Sequence, residues 1–125
     1  MTDLKIDATA QLAYEIAQRA GEPGACDTWA HVKHAVGGAD RDPRLWPRDR
    51  GEIAGIGYCV SSYVAHKGMI KVALTQHGRL AEIGVPAATQ LALLAVLTGA
   101  PVAGLSVRDV DHVIQVGLFG EVLYP

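Results

Sequence analysis

Twenty-five consecutive residues, Ile83 to Val107, carry no charge. So long a run first raises the question of a membrane span. Pro86 near its start and Gly99-Ala100-Pro101 further on confine the continuous helix to Pro86–Thr98. At about 1.5 Å per residue such a helix reaches roughly 20 Å, short of a hydrocarbon core of about 30 Å. Thr89 and Gln90 lie within it, and no Lys/Arg cluster flanks either end. The run therefore predicts a central helix buried on nearly all sides by its own protein.

The rest of the composition agrees with a helical core. Half of the 125 residues are hydrophobic but only 6% are aromatic, so Ala, Val, Leu and Ile must fill the interior. Small side chains suit closely packed helices. The length favours one globular domain over residues 1–125, able to bury roughly two-thirds of its unfolded surface without a disulfide or metal. A net charge of −2 argues against a general nucleic-acid binder. The start of the chain, MTDLKIDATAQ, has no basic segment followed by an apolar one. A cytoplasmic location with Cys26 and Cys59 as reduced thiols is the expectation.

Periodicity divides the chain further. Leu4, Ala8, Leu12, Ile16 and Ala20 recur every four residues, predicting a helix over Asp3–Ala20 that Gly21 stops. Asp27 is a candidate N-cap for a helix over Thr28–Val36. Residues 39–51 (ADRDPRLWPRDRG) read as a long surface loop. A third helix is expected over Glu52–Lys67, with Gly68 as its C′ residue. Residues 69–76 fit either period, with a lean towards helix. Ser106-Val-Arg-Asp109 resembles a capping box opening a last helix whose stripe is Val107, Val110, Val113, Ile114 and Leu118. The fold expected is mainly α: a compact single domain of five or six helices around Pro86–Thr98. The alternative is α+β, with a small sheet from residues 70–74 and 113–124.

Three groups of residues carry chemistry worth weighing. His31 and His34 are spaced i, i+3 on the expected helix, with Asp27 a turn earlier, a candidate divalent-metal set. The commoner role of such residues is a solvated helix face, and no cofactor is expected. Arg41, Arg44, Trp46, Arg48 and Arg50 line the loop, where guanidinium groups could grip phosphate or carboxylate and Trp46 could stack. Asp40, Asp42 and Asp49 interleave with them and cancel most of the charge. A pocket under that loop would be lined by Arg44, Trp46, Arg48, His31 and His34.

Cys59 and His112 form the third group, a minimal nucleophile and base. The strings Gly57-Tyr58-Cys59-Val60-Ser61-Ser62-Tyr63-Val64 and Asp111-His112-Val113-Ile114-Gln115-Val116 faintly resemble the cysteine and histidine segments of NlpC/P60 and CHAP cysteine peptidases. That resemblance implies a thiolate at Cys59 and a histidine base on a strand. It spans two short segments, lacks the usual Asp before the cysteine and lacks Ser-Gly after it, and on periodicity His112 belongs to a helix.

No phosphate loop, dinucleotide-binding glycine pattern or Cys-x-x-Cys pair is present. The reading that follows is a small non-catalytic binding or interaction protein, expected to self-associate as a homodimer. A small molecule or an acidic protein is a further candidate partner, and neither nucleic acid nor membrane is expected. The alternatives are a small-molecule-binding protein or enzyme under the loop, and a cysteine hydrolase using Cys59 and His112.

Overall fold

The computed structural model describes residues 2–33, 42–49 and 57–125, with side chains from residue 9 onward. Four α-helices are present among the described residues: α1 (Thr2–Arg19), α2 (Ser62–Leu74), α3 (Ala87–Leu97) and α4 (Val107–Phe119). Short 3-10 turns lie at Cys26–Thr28, His77–Ile83 and Val102–Gly104. A small antiparallel sheet, β1 (Ala30–Lys33), β2 (Arg44–Pro47) and β3 (Tyr58–Cys59), has β2 in the middle. The mainly helical single domain is as expected.

α1 packs through Leu12, Ala13, Ile16 and Ala17, with Ala20 just past its end, all buried; Leu12, Ile16 and Ala20 belong to the predicted stripe. α2 starts where Ser61 Oγ accepts the Val64 N–H at 3.3 Å. It continues through Gly68, which the sequence assigns to a helix end. Gly68 instead sits at the crossing of α2 and α4. A Cβ there would overlap the carbonyl oxygen of Val113, and one on Gly117 would overlap that of Val64. The two glycines let the backbones touch, which is their physical reason for standing inside helices despite a propensity cost of about 1 kcal/mol each.

The capping box of α4 forms as expected: Ser106 Oγ accepts from Asp109 N, and Asp109 Oδ2 accepts from Ser106 N. Gly120 ends the helix at φ +80°. All eight residues Val110–Gly117 are buried, so α4, not Pro86–Thr98, is the central helix. α3 forms almost within its predicted bounds but buries only Thr89, Gln90 and Leu93. Apolar content marked it as interior. Its outer face, however, has no neighbour among the described residues, and Leu91 stays 60% exposed.

Three further expectations are corrected. The sheet does not come from residues 70–74 and 113–124, which are helical, apart from the non-helical residues 120–124. Residues 30–33 form a strand rather than the middle of a helix, because β2 offers them a hydrogen-bonded edge. Cys59 lies on β3, opposite Arg44, instead of two turns into a helix. His34, Arg41, Arg50 and residues 52–56 of the expected third helix lie outside the described residues.

Among the described residues no single helix is long and apolar enough to cross a membrane. The turn His77–Ile83 meets α3 at 116°, so the two do not join into one continuous helix.

Candidate functional site

Polar side chains gather on two sides of α4. On the first, Asp111 and Gln115 stand one helical turn apart and share a face. Trp29 Nε1 donates to Asp111 Oδ1 at 2.7 Å, and Gln115 Nε2 donates to the same carboxylate at 3.1 and 3.2 Å. The Gln115 amide also reads the backbone of the segment after α4. Its Oε1 accepts from the N–H groups of Leu123 (2.9 Å) and Tyr124 (2.8 Å), and its Nε2 donates to the Tyr124 carbonyl at 2.9 Å.

Aromatic rings close this side. The Tyr124 ring stacks on Trp29 at a centroid distance of 4.7 Å and an interplanar angle of 1°. Phe119 meets both edge-on, and Tyr58 packs edge-on against Phe119 at 5.2 Å. The Tyr124 hydroxyl donates to the Asp49 carboxylate at 2.9 and 3.0 Å. Cys26 is fully buried beside Asp111, and burial, reinforced by that carboxylate, drives its thiol pKa far upward. A thiol so placed is a core residue and a poor nucleophile.

On the second side, Thr89 of α3 meets α4. Thr89 Oγ1 donates to Asp109 Oδ1 at 2.8 Å and lies 3.3 Å from His112 Nδ1. The hydroxyl has one proton, and Asp109 takes it, so His112 Nδ1 is the donor in its own contact. Burial lowers the His112 pKa and Arg108 adds to this, against the opposing pull of Asp111 and Asp109. Hydroxyl, imidazole and carboxylate thus come together, but in an order that differs from a nucleophile–base–carboxylate relay. The carboxylate holds the hydroxyl proton instead of orienting the imidazole to remove it. The cluster ties α3 to α4, as Gln90 Nε2 ties α3 to α2 through the Val72 (3.0 Å) and Thr75 (2.7 Å) carbonyls.

The described residues singled out from sequence sit on different elements. Cys59 is half-buried on β3, while His112 is engaged with Thr89. Asp27 Oδ1 accepts from Gly24 N at 2.9 Å, and His31 is exposed on β1 opposite Trp46. The shared helix face that would have joined them does not exist, and no group of three metal-ligating side chains occurs among the described residues. Of the loop set, Trp46 packs over Gly57 with Lys33 Nζ 4.9 Å from its ring, Arg44 is exposed, and Arg48 donates to the Asp27 carbonyl at 3.0 Å.

The sequence reading missed Trp29, Asp111, Gln115 and Tyr124 as a unit. One signal was available: two polar residues at i, i+4 within the apolar stripe of a helix, where burial demands a partner.

Two surface features complete the picture. An open groove of about 880 Å³ runs between α1 and the end of α3, lined by Leu12, Glu15, Val96, Leu97 and Val102 among others. The outer face of α3 presents Ala87, Leu91, Leu94 and Thr98, spaced 4-3-4 as in a heptad seam, all exposed. Compared with known proteins, the chain matches no family model, no curated protein and no solved structure.

Proposed function

We propose that this chain is a small non-catalytic interaction protein that works as a homodimer joined through α3. The observation that carries this reading is the exposed heptad seam, Ala87, Leu91, Leu94 and Thr98, on a helix that has no charged residue. Two copies related by a two-fold axis would lay these seams side by side without like-charge contact. Gln90 fixes α3 to the end of α2, where Ile70 and Leu74 are also exposed, at 44% and 78%.

The energetics suit a concentration-dependent dimer. Leu91, Leu94, Ile70 and Leu74 leave the equivalent of about two fully exposed leucines per protomer. Burying both sets is worth roughly 6–12 kcal/mol at ~1.5–3 kcal/mol per side chain. Association costs about 4–15 kcal/mol before any gain appears. The balance predicts a monomer–dimer equilibrium rather than an obligate assembly.

The non-catalytic half of the reading is supported by how the reactive groups are used. Cys26 has a raised pKa, His112 serves as a clamp, and Asp111 bonds to Trp29 and Gln115.

Sedimentation velocity over a hundredfold concentration range tests the dimer. The expected result is a mass that doubles with concentration, and a monomer throughout for the Leu91→Lys, Leu94→Lys double variant. A wild-type chain that stays monomeric at the highest concentration would overturn self-association. Mass unchanged by the double variant would move the interface elsewhere.

A further inference from the structure

The segment Glu121–Pro125 is held in a way that resembles a bound peptide more than a piece of core. Its side chains alternate: Val122 and Tyr124 turn in, while Glu121, Leu123 and Pro125 are exposed. That is the period of an extended strand, yet no strand among the described residues pairs with it. One side-chain amide supplies the backbone recognition. Gln115, fully buried, takes two N–H groups and gives one to a carbonyl. Val122 N adds a bond to the Ile83 carbonyl at 2.8 Å. Specificity is present as well, since Trp29 and Phe119 form a slot for an aromatic ring and Asp49 accepts its hydroxyl.

We propose that the cleft formed by Trp29, Phe119, Gln115 and Asp49 is a recognition site for an extended peptide bearing a tyrosine, filled here in cis by residues 121–125. Backbone bonds supply affinity and pockets for alternate side chains supply selectivity, as in other extended-peptide sites. The site takes a segment with a small apolar residue two positions before the tyrosine and leaves the position between them free. Gly120, at φ +80°, is the pivot on which the cis segment leaves. While tethered, that segment competes at an effective concentration in the millimolar range, so a partner peptide enters only when its own concentration or affinity is high. The cleft uses none of the α3 seam residues, so the inference stands or falls apart from the dimer.

The test is to supply the segment in trans. A chain ending at Gly120 is titrated with the synthetic pentapeptide Glu-Val-Leu-Tyr-Pro while Trp29 fluorescence and the melting temperature are followed. The expected result is saturable quenching with a rise in Tm, about tenfold weaker or worse when the peptide tyrosine is replaced by alanine. The full-length Tyr124→Ala variant, which keeps the backbone bonds, is a second host and should respond to the tyrosine peptide at higher concentration. A folded host that ignores millimolar peptide overturns the proposal. So does loss of the fold in both hosts, which would make residues 121–125 an inseparable part of the core.

Discussion

Substituting Gly117 by alanine is the sharpest test of how this protein is packed. An alanine in mid-helix ordinarily adds about 1 kcal/mol of stability relative to glycine. Here the added Cβ would overlap the Val64 carbonyl oxygen, and Val64 Cγ1 would lie 3.1 Å away. The oxygen belongs to the backbone of α2, so no rotamer change relieves the overlap. The helices must part by roughly an ångström, and a gap of that size forfeits a quarter to a half of each contact along the seam. Ala65, Met69 and Val72 on α2 face Val110, Val113 and Ile114 on α4, and all six are buried. Overpacking ordinarily costs about 1–3 kcal/mol, and an obstacle made of backbone puts this site at the upper end, so roughly 2 kcal/mol remain after the propensity gain. For a chain of this size that is a Tm drop of about 6–10 °C. Gly68→Ala meets the Val113 carbonyl in the same way, and the double variant should cost less than the sum, because helices already separated accept the second methyl group. Gly78→Ala is the control: nothing lies within 4 Å of its Cβ position, and its effect should be neutral or mildly stabilising. Urea denaturation followed by circular dichroism measures all four. A Gly117→Ala protein as stable as the parent would refute the close approach of α2 and α4.

Other consequences follow from the polar interior. Burial lowers the His112 pKa in the folded chain, so below its unpaired value of 6.5 the unfolded state binds the proton first. Stability should therefore fall as pH drops from 6.5 towards the folded pKa, and His112→Gln should flatten that part of a Tm–pH curve. An equal slope in the variant would assign the pH dependence to other groups. Asp111→Ala strands the Trp29 indole N–H and should cost about 2–4 kcal/mol in chemical denaturation, while Asp111→Asn, which keeps an acceptor for Trp29 but faces the Gln115 amide with its own NH2, should cost less. If the two cost the same, the carboxylate is not what holds Trp29. Cys26 should resist iodoacetamide until the chain unfolds, as mass spectrometry of the modified peptides would report; rapid labelling in native buffer would contradict its burial and raised pKa.

What could be read from the chain in advance was local. α1, α3 and α4 are signalled by periodicity, by Pro86 and by the Ser106–Asp109 capping box, each acting within a few residues. The strands were not legible because their cause is not local. Ala30–Lys33 carries too few residues for either period to show, and it becomes a strand because Arg44–Pro47 pairs with it. Gly68 illustrates the same limit in a helix. A glycine after an apolar stripe reads as a stop, and only the carbonyl of Val113, forty-five residues on, explains its place inside α2.

Burial was misjudged for a related reason. Hydropathy ranks α3 as the interior helix and α4 as merely amphipathic, yet Asp111, His112 and Gln115 are nearly sealed from water, while Leu91 is not. The polar residues of α4 can be central because each finds a partner brought by another element: Trp29 from the turn before β1, Thr89 from α3, and the backbone of residues 123–124. Burying them unpaired would cost several kcal/mol. Paired, they fix which elements lie against α4 and in what register, which an all-apolar helix would leave to shape alone. The apolar face of α3 is the complement of that arrangement. With the interior specified by α4, α3 needs only Thr89, Gln90 and Leu93 to dock, and its remaining leucines Leu91, Leu94 and Leu97 stay exposed. An exposed apolar seam and a buried polar centre are thus two sides of one division of labour, and neither position can be inferred from the hydropathy of its own helix.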